Sequence, residues 1–490
     1  MVPPSEKAPG DIGAPNHDVL LQDPEAIKAH ETTTQAVDTT ASLSDEPPYS
    51  VFTKWQKRWI NMNSSFAAMF STLSSYIYYP ALTSVSQDLG VSLSLINLTV
   101  TSYLIVAGIA PAFLGDMADQ SGRRPIYMLM FVLMISANIG IALQHSFPAL
   151  LVLRMLQSAG SSPMISAGYG VIADITAVNE RGGFVGILLL MTDIAPSLGP
   201  VIGGAITNEL GWRWIFWFLV ILTGTHFIIL VLFMPETQRN IVGDGSGKVT
   251  GIYWSFFTLF QNRETKANQP EIKTTKATLP QSFVLSPDPA TQRIVSDYID
   301  LCYYLLAELP YLTSGLVYLP SGVSGGIASY FTGRYLDRNY KRTAEKLSGY
   351  GRDSPQFPIE RTRLKGIFVL ITISSLGTLG YGLALMTKAH ISVMLIMQFL
   401  TGGSTASTFT MTSTLLTDLN LDRSATAHAA SNIVRCLMAG GAIGIMDPLI
   451  NAIGFGWCFA IYSAVALLEI PVVVYLYKMG DRRAQQPESS

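Results

Sequence analysis

The stretch "GDMADQSGRRP", residues 115–125, packs Asp116, Asp119, Arg123 and Arg124 into one corner between two long apolar runs. Gly115 and Gly122 permit a tight turn and a close approach of helices. A carboxylate within reach of two guanidinium groups at the rim of an apolar region can act as an electrostatic latch. Such a pair can be made in one conformation and broken in another, because neither charge is left bare at depth. Plain anchoring of two helix ends at a membrane surface is the competing reading. Repetition favours the latch: Gly333, Asp337, Lys341 and Arg342 stand at the same offsets as Gly115, Asp119, Arg123 and Arg124.

A second set of polar residues lies inside the apolar runs. Arg154 and Gln157 share one face of a helix. An arginine there faces a cavity or a partner unless it sits near enough to the end to reach water along its own stem. Asp193 and Arg435 fall at matching depth in two different runs, and the offset that aligns them also aligns Gly199 with Gly441. Burial raises a carboxyl's affinity for its proton, which makes Asp193 a candidate for proton exchange, with a hydrogen-bonded structural aspartate as the alternative. Arg435 would attract an anion or hold a nearby acid ionised. Equal depth does not imply contact, and either residue can find its partner within its own group of helices. His226 reads as a packing residue. The hydroxyls from Ser404 to Thr414 fit either a cavity wall or packing through small residues, and Tyr76, Tyr78 and Tyr79 fit either a site for planar compounds or an interfacial belt.

The elements that must position these side chains are membrane helices. Of 490 residues 49% are apolar and only 13% are charged, a membrane composition. A net charge of −2, with the charges placed between the apolar blocks, speaks against nucleic acid as a partner. Cys302, Cys436 and Cys458 show no CxxC or Cys/His spacing, so no disulfide framework or metal site is implied. No Walker motif, zinc signature or nucleophile elbow is present, which leaves no support for ATP-driven or hydrolytic activity, and no catalytic residue is assigned. Runs of about 20 apolar residues, long enough to cross about 30 Å of hydrocarbon, cover 60–85, 94–115, 125–143, 150–174, 184–208 and 213–234. After a polar stretch they resume at 313–336, 364–386, 391–415, 425–450 and 457–477.

Threading these spans from a cytoplasmic N-terminus, with one more crossing between 294 and 312, puts all the Lys and Arg residues at the cytoplasmic side except Arg154, Arg213, Lys388 and Arg435. That asymmetry supports the threading. It also exposes a weak seventh span, "IVSDYIDLCYYLLAELP", which is short and carries Asp297, Asp300 and Glu308. The fourth spans of the two groups echo each other as well, "RMLQSAGSS" leading to Asp174 and "QFLTGGSTA" leading to Asp418.

These pieces carry a family resemblance. "GDMADQSGRRP" resembles motif A of the major facilitator superfamily, "RMLQSAG" with Arg154, Gln157 and Gly160 resembles motif B, and "LGPVIGG" with Gly199, Pro200, Gly203 and Gly204 resembles motif C of its twelve-span drug:proton antiporters. "MPETQRNIVGDGS" and "SNIVRCLMAGGAIGIMDPLINAIG" are similar to the fungal quinidine-resistance branch, which includes drug, polyamine and organic-acid exporters. The resemblance implies a latch role for the motif A residues and proton coupling for Arg154. It covers residues 55–480 apart from the region around 281–310, where the family has an ordinary span. Gln120 stands where motif A often has a basic residue.

The sequence therefore predicts an all-α membrane protein of the major facilitator fold, with two pseudo-symmetric six-helix bundles around a central cavity and a weak or truncated seventh span. Its expected parts are a disordered cytoplasmic tail (1–55), an N-terminal bundle (56–234), a cytoplasmic linker (235–293), a C-terminal bundle (294–477) and a cytoplasmic tail (478–490). The expected activity is proton-coupled export of small organic molecules by alternating access, with a citrate-like carboxylate as the rival substrate. An inactive or sensor-like homologue is the reading the weak seventh span would favour. Partners are then a small molecule, protons and the bilayer. No cofactor beyond the proton gradient is expected, and the chain is read as a monomer of the plasma membrane.

Overall fold

The computed structural model describes residues 49–247, 249–260, 318–347 and 357–485. Among these residues every regular element is helical. Helix α1 (Lys54–Tyr76) opens on a capping box in which Thr53 and Gln56 exchange side-chain and backbone hydrogen bonds. A short turn and α2 (Leu82–Leu89) follow. Helix α3 (Leu93–Ser121) is capped by the Ser92 hydroxyl and ends at Gly122, whose φ of 102° suits a residue without a side chain. Helix α4 (Arg123–Leu143) starts at once. Helices α5 (Phe147–Ser161) and α6 (Pro163–Ile175) are separated only by Ser162, and α7 (Val178–Leu210), α8 (Arg213–Phe233) and the single turn α9 (Arg239–Val242) complete the first half. The second half holds α10 (Leu319–Lys346), α11 (Ile359–Arg363), α12 (Ile367–Met386), α13 (Ile391–Leu419), α14 (Ser424–Leu467), which kinks at Gly454, and α15 (Glu469–Gln485).

The helices match the spans read from the sequence. The expected crossing at 294–312 lies outside the described residues, as does the stretch 261–293. Helices α3, α4, α7, α8 and α12 and the stretch Pro448–Lys478 are long and apolar enough to cross a membrane on composition alone. The others miss that mark for a packing reason. The rod of α5 and α6 is broken at Ser162, next to a proline, and α6 and the part of α13 from Thr401 to Asp418 bury almost every residue, so they can carry Ser, Thr, Gly and Asp without presenting them to lipid. Along α13 the hydroxyls of Thr408, Thr410, Thr412 and Thr414 donate to the carbonyl one turn back. Most of the run is thereby spent on its own helix.

Each half has its own apolar core. Phe70, Phe131, Met134, Ile141, Phe216 and Leu219 belong to the first. Leu336, Ile371, Met411 and Leu415, with a second cluster around Tyr381, Met446 and Phe459, form the other. The halves meet chiefly where α7 crosses α10 and α3 crosses α14. These crossings are related by the repeat, since α3 and α10 carry the duplicated Gly and Asp residues. Glycine makes the first one possible. A Cβ on Gly186 would lie 2.7 Å from the Ser329 carbonyl oxygen, and one on Gly333 would run into that of Gly182. Motif C serves a contact within the first half. Gly199 and Gly203 on α7 face the end of α1, a Cβ on Gly199 would meet the Ile77 nitrogen at 3.0 Å, and one on Gly203 would overlap the Ile77 carbonyl. Pro200 lies inside this stretch of α7, and Gly204 is buried beside it.

Substituting Gly203 by Ala should therefore destabilise the detergent-solubilised protein by about 1–3 kcal/mol, the usual cost of overpacking. Gly224→Ala is the control, because a Cβ there meets nothing within 4 Å. Thermal unfolding of the two variants should show a lowered midpoint for the first and none for the second.

Candidate functional site

At one end of the molecule, the charged end, a carboxylate from each half is bound by the other half. Asp119, near the end of α3, accepts from the Thr426 backbone N–H at 2.9 Å and from its hydroxyl at 2.6 Å, both in the first turn of α14. Asp337 on α10 accepts from the Gly182 and Gly183 N–H groups at 2.9 and 2.7 Å, near the start of α7. The offset that pairs Asp193 with Arg435 sets Phe184, next to Gly183, against Thr426. The two contacts are therefore the same contact repeated. The positive end of the helix dipole favours an anion at both positions, and Thr426, the third residue of α14, also offers an N–H with no acceptor in its own helix.

An arginine supports each carboxylate from within its own half. Arg123 is fully buried and bridges Asp119 at 2.5 Å and Asp174 at 2.9 Å. Arg363, equally buried, holds Asp418 at 2.7 Å and lies 3.7 Å from Asp337. Asp418 also takes a 2.5 Å bond from Arg181 of the first half, so the second cluster contains an ion pair between the halves. Burial pushes the Asp337 carboxyl up to about 6, against the pull of Arg363 and of the Gly183 and Gly182 N–H groups. Because this arrangement of the two halves raises the value, Asp337 by itself strengthens it at low pH and weakens it as pH rises through about 6.

Lys341 and Arg342 were expected to fill the role of Arg123 and Arg124, and the structure corrects this. Both are exposed. In the first half Gly122 ends α3, so the arginines open the next helix. Tyr340 occupies the matching position in the second half, and α10 runs on to Lys346, carrying Lys341 and Arg342 out along an exposed extension. Arg363 supplies the missing cation over the face of Tyr340, 5.2 Å from its ring centre. Arg124 also differs from Arg123. It donates to the carbonyls of Met234, Val231 and Ile252 at 2.5, 2.6 and 2.9 Å and so caps the end of α8. Glu236, unremarked in the sequence, returns the favour by accepting from the Arg123 and Arg124 N–H groups at 2.8 and 3.1 Å. A Cβ on Gly122 would lie 2.6 Å from that Glu236 carboxylate, and Gly115 packs against Ala425 and Ala429 of α14.

Deeper in the first half, Arg154 is 1% exposed and does not snorkel. Its guanidinium lies between the rings of Tyr78 and Tyr103, 4.3 and 4.5 Å from their centres. It donates to Gln157 Oε1 at 2.5 Å, and Gln157 donates to Asn138 Oδ1 at 2.7 Å. Among the described residues no carboxylate pairs with Arg154. Asp193 accepts from the Ser329 hydroxyl at 2.7 Å, a contact between the halves rather than within one. Arg435 bonds Asn432 and lies 5.8 Å from the Phe409 ring, while Asn432 reaches the Ala107 carbonyl of α3 at 2.8 Å. His226 is packed among Phe66, Phe70 and Phe131, as expected.

The family model described as Major Facilitator Superfamily matches residues 64–444. Among curated proteins, the MFS-type transporter phiD of a fungal species is 36% identical over 91% of this chain and 72% of its own length. Citrate exporter 1 of Aspergillus niger is 35% identical over 88% of each chain. The multidrug transporter QDR2 of Candida glabrata is 29% identical over 96% of this chain and 88% of its own. Of solved structures, the proton:xylose symporter XylE matches with a TM-score of 0.64 at 15% identity, covering 88% of this chain and 97% of that one. The human organic anion transporter MFSD10 matches with a TM-score of 0.59 at 14% identity, covering 87% and 100%. At these identities the two structures establish likeness of fold.

The geometry predicts which charges at this end matter. Asp418→Asn strands two buried arginines and should weaken the closed arrangement by about 3–5 kcal/mol. Lys341→Ala with Arg342→Ala should leave it unchanged. Cysteine accessibility at Gly115→Cys, buried against α14 in the closed form, should rise sharply in the first variant and stay at the parental level in the second.

Proposed function

Because the chain belongs to the major facilitator superfamily and is a multi-pass membrane transporter, we propose that it exports small organic molecules in exchange for protons by alternating access. The observation that carries this reading is the duplicated seal at the charged end. Each half offers a carboxylate to backbone N–H groups near the start of a helix in the other half. These hydrogen bonds can be traded for water when the halves rock apart, without leaving a bare charge in the apolar interior. The distribution of Lys and Arg puts this end in the cytoplasm, with both termini, and the plasma membrane is the proposed location. On this reading the conformation described here is closed to the cytoplasm.

Arg154, Gln157 and Asn138 form a hydrogen-bonded chain that ends under two tyrosines, and Asp193 lies at the contact of the halves. We assign proton coupling to this pair of features. An organic acid as cargo is the second reading. The guanidinium of Arg435, whose described contacts include the neutral Asn432 and Phe409, suits a carboxylate ligand, and one relative bears the name citrate exporter.

Purified protein in vesicles decides between them. An imposed proton gradient should drive flux that a protonophore abolishes, and Arg154→Ala should lower it at least tenfold. If Arg435→Ala removes citrate flux and spares cationic drugs, the organic acid is the cargo. Absence of gradient-dependent flux for both classes of compound would refute the exporter reading, and an unchanged gradient dependence in Asp193→Asn would remove that residue from the coupling.

A further inference from the structure

His428, the fifth residue of α14, faces α6 of the other half. Its ring lies flat on Tyr169, with centres 3.5 Å apart and planes within 4°. Nε2 is 2.9 Å from the Thr417 hydroxyl, and Thr417 gives its own hydroxyl hydrogen to the Ser413 carbonyl at 2.9 Å. With that hydrogen spent, Thr417 can only accept. His428 therefore donates from Nε2, and Nδ1 is the atom left to take up a further proton.

Among the described residues, the carboxylates on the elements packed around this ring are exposed or engaged by other groups. On α14 itself the guanidinium of Arg435 acts on it, and Asp422 and Arg423, just ahead of the helix, are exposed. From α3, Asp119 is held by Arg123 and Thr426 and Asp116 by Gln120. From α6, Asp174 is held by Arg123, and from α13, Asp418 is held by Arg181 and Arg363. Helix α12 carries no charged residue, and α15 begins with Glu469 at the opposite end of α14.

We propose that His428 is a proton-binding site in the seal between the halves, filled only when the charged end is open. The seal closes on the neutral ring, and a proton taken up at Nδ1 holds it apart. In the closed form an imidazolium would be a second cation near Arg435, cut off from water. Attraction to the face of Tyr169 offsets part of that penalty, but a contact with one ring is worth less than an unpaired buried charge costs. In the open form the ring meets water and titrates near its ordinary value of about 6.5. Closure is thus fully available above about 6.5 and is lost as pH falls, the opposite direction to Asp337. This rests on the alternating-access reading, under which an acidified cytoplasm holds the exporter open to its load.

The test uses spin labels at Gln120→Cys and Arg423→Cys, both exposed at the charged end and in opposite halves. The full chain, with Cys302, Cys436 and Cys458 replaced, is studied in lipid nanodiscs by double electron–electron resonance at pH 7.5 and 5.5. His428→Phe keeps a ring for the stack without a titrating nitrogen, and His428→Gln keeps a donor for Thr417. The open-to-closed ratio of the parent, divided by that of either variant, should rise about tenfold between the two pH values. Asp337 is common to all three and cancels. An equal pH response in parent and both variants overturns the proposal. The label readout needs no substrate, so it decides on His428 whatever the flux assays say of the proposed function.

Discussion

The structure depends on how a helix start is satisfied. Near the starts of α7 and α14 backbone N–H groups meet an acceptor from the opposite half, Gly182 and Gly183 at Asp337 and Thr426 at Asp119. The groups around them serve to aim those two carboxylates. Arg123 and Arg363 lie fully buried behind them, and Asp174 and Asp418 in turn hold the arginines. A buried ion pair adds little net stability by itself, but removing one member is costly, so such a cluster specifies one arrangement. Glycine lets the backbones come near enough for the bonds to form: Gly182, Gly186 and Gly333 at one crossing, Gly115 at the other.

The two seals are not equal. The second includes Arg181 bonded to Asp418 across the halves, whereas the first joins them through Thr426 to Asp119. Arg124 and Glu236 tie the start of α4 to the end of α8 and the segment after it. Tyr169 and His428 add an aromatic contact between the halves just inside the charged end.

Much of this was legible in the sequence. The apolar runs gave the helices, and the Gly and Asp offsets gave the repeat and its carboxylates. The cation of the second seal was not legible, because helix length is set by what stops the helix: Gly122 stops α3, Tyr340 does not stop α10, and Arg363 arrives from a separate element. Asp174 and Asp418 were visible as matching helix ends, yet their partners depend on tertiary packing. Arg154 was recognisable as costly and therefore partnered, but its two tyrosines come from α3 and the turn after α1, and no local pattern connects them. The partner of Asp193 lay in the opposite half, which periodicity cannot reveal.

The central claim is that the charged end must open and close during transport. A Cβ on Gly115 would lie 3.4 Å from the Ala429 Cβ of the other half, close to the separation that a disulfide spans. Gly115→Cys with Ala429→Cys, in a chain whose native cysteines are replaced, should therefore form a cross-link in the conformation described here. Gradient-driven flux in vesicles should be lost on oxidation and return on reduction. Flux at the parental rate in fully cross-linked protein would contradict the account.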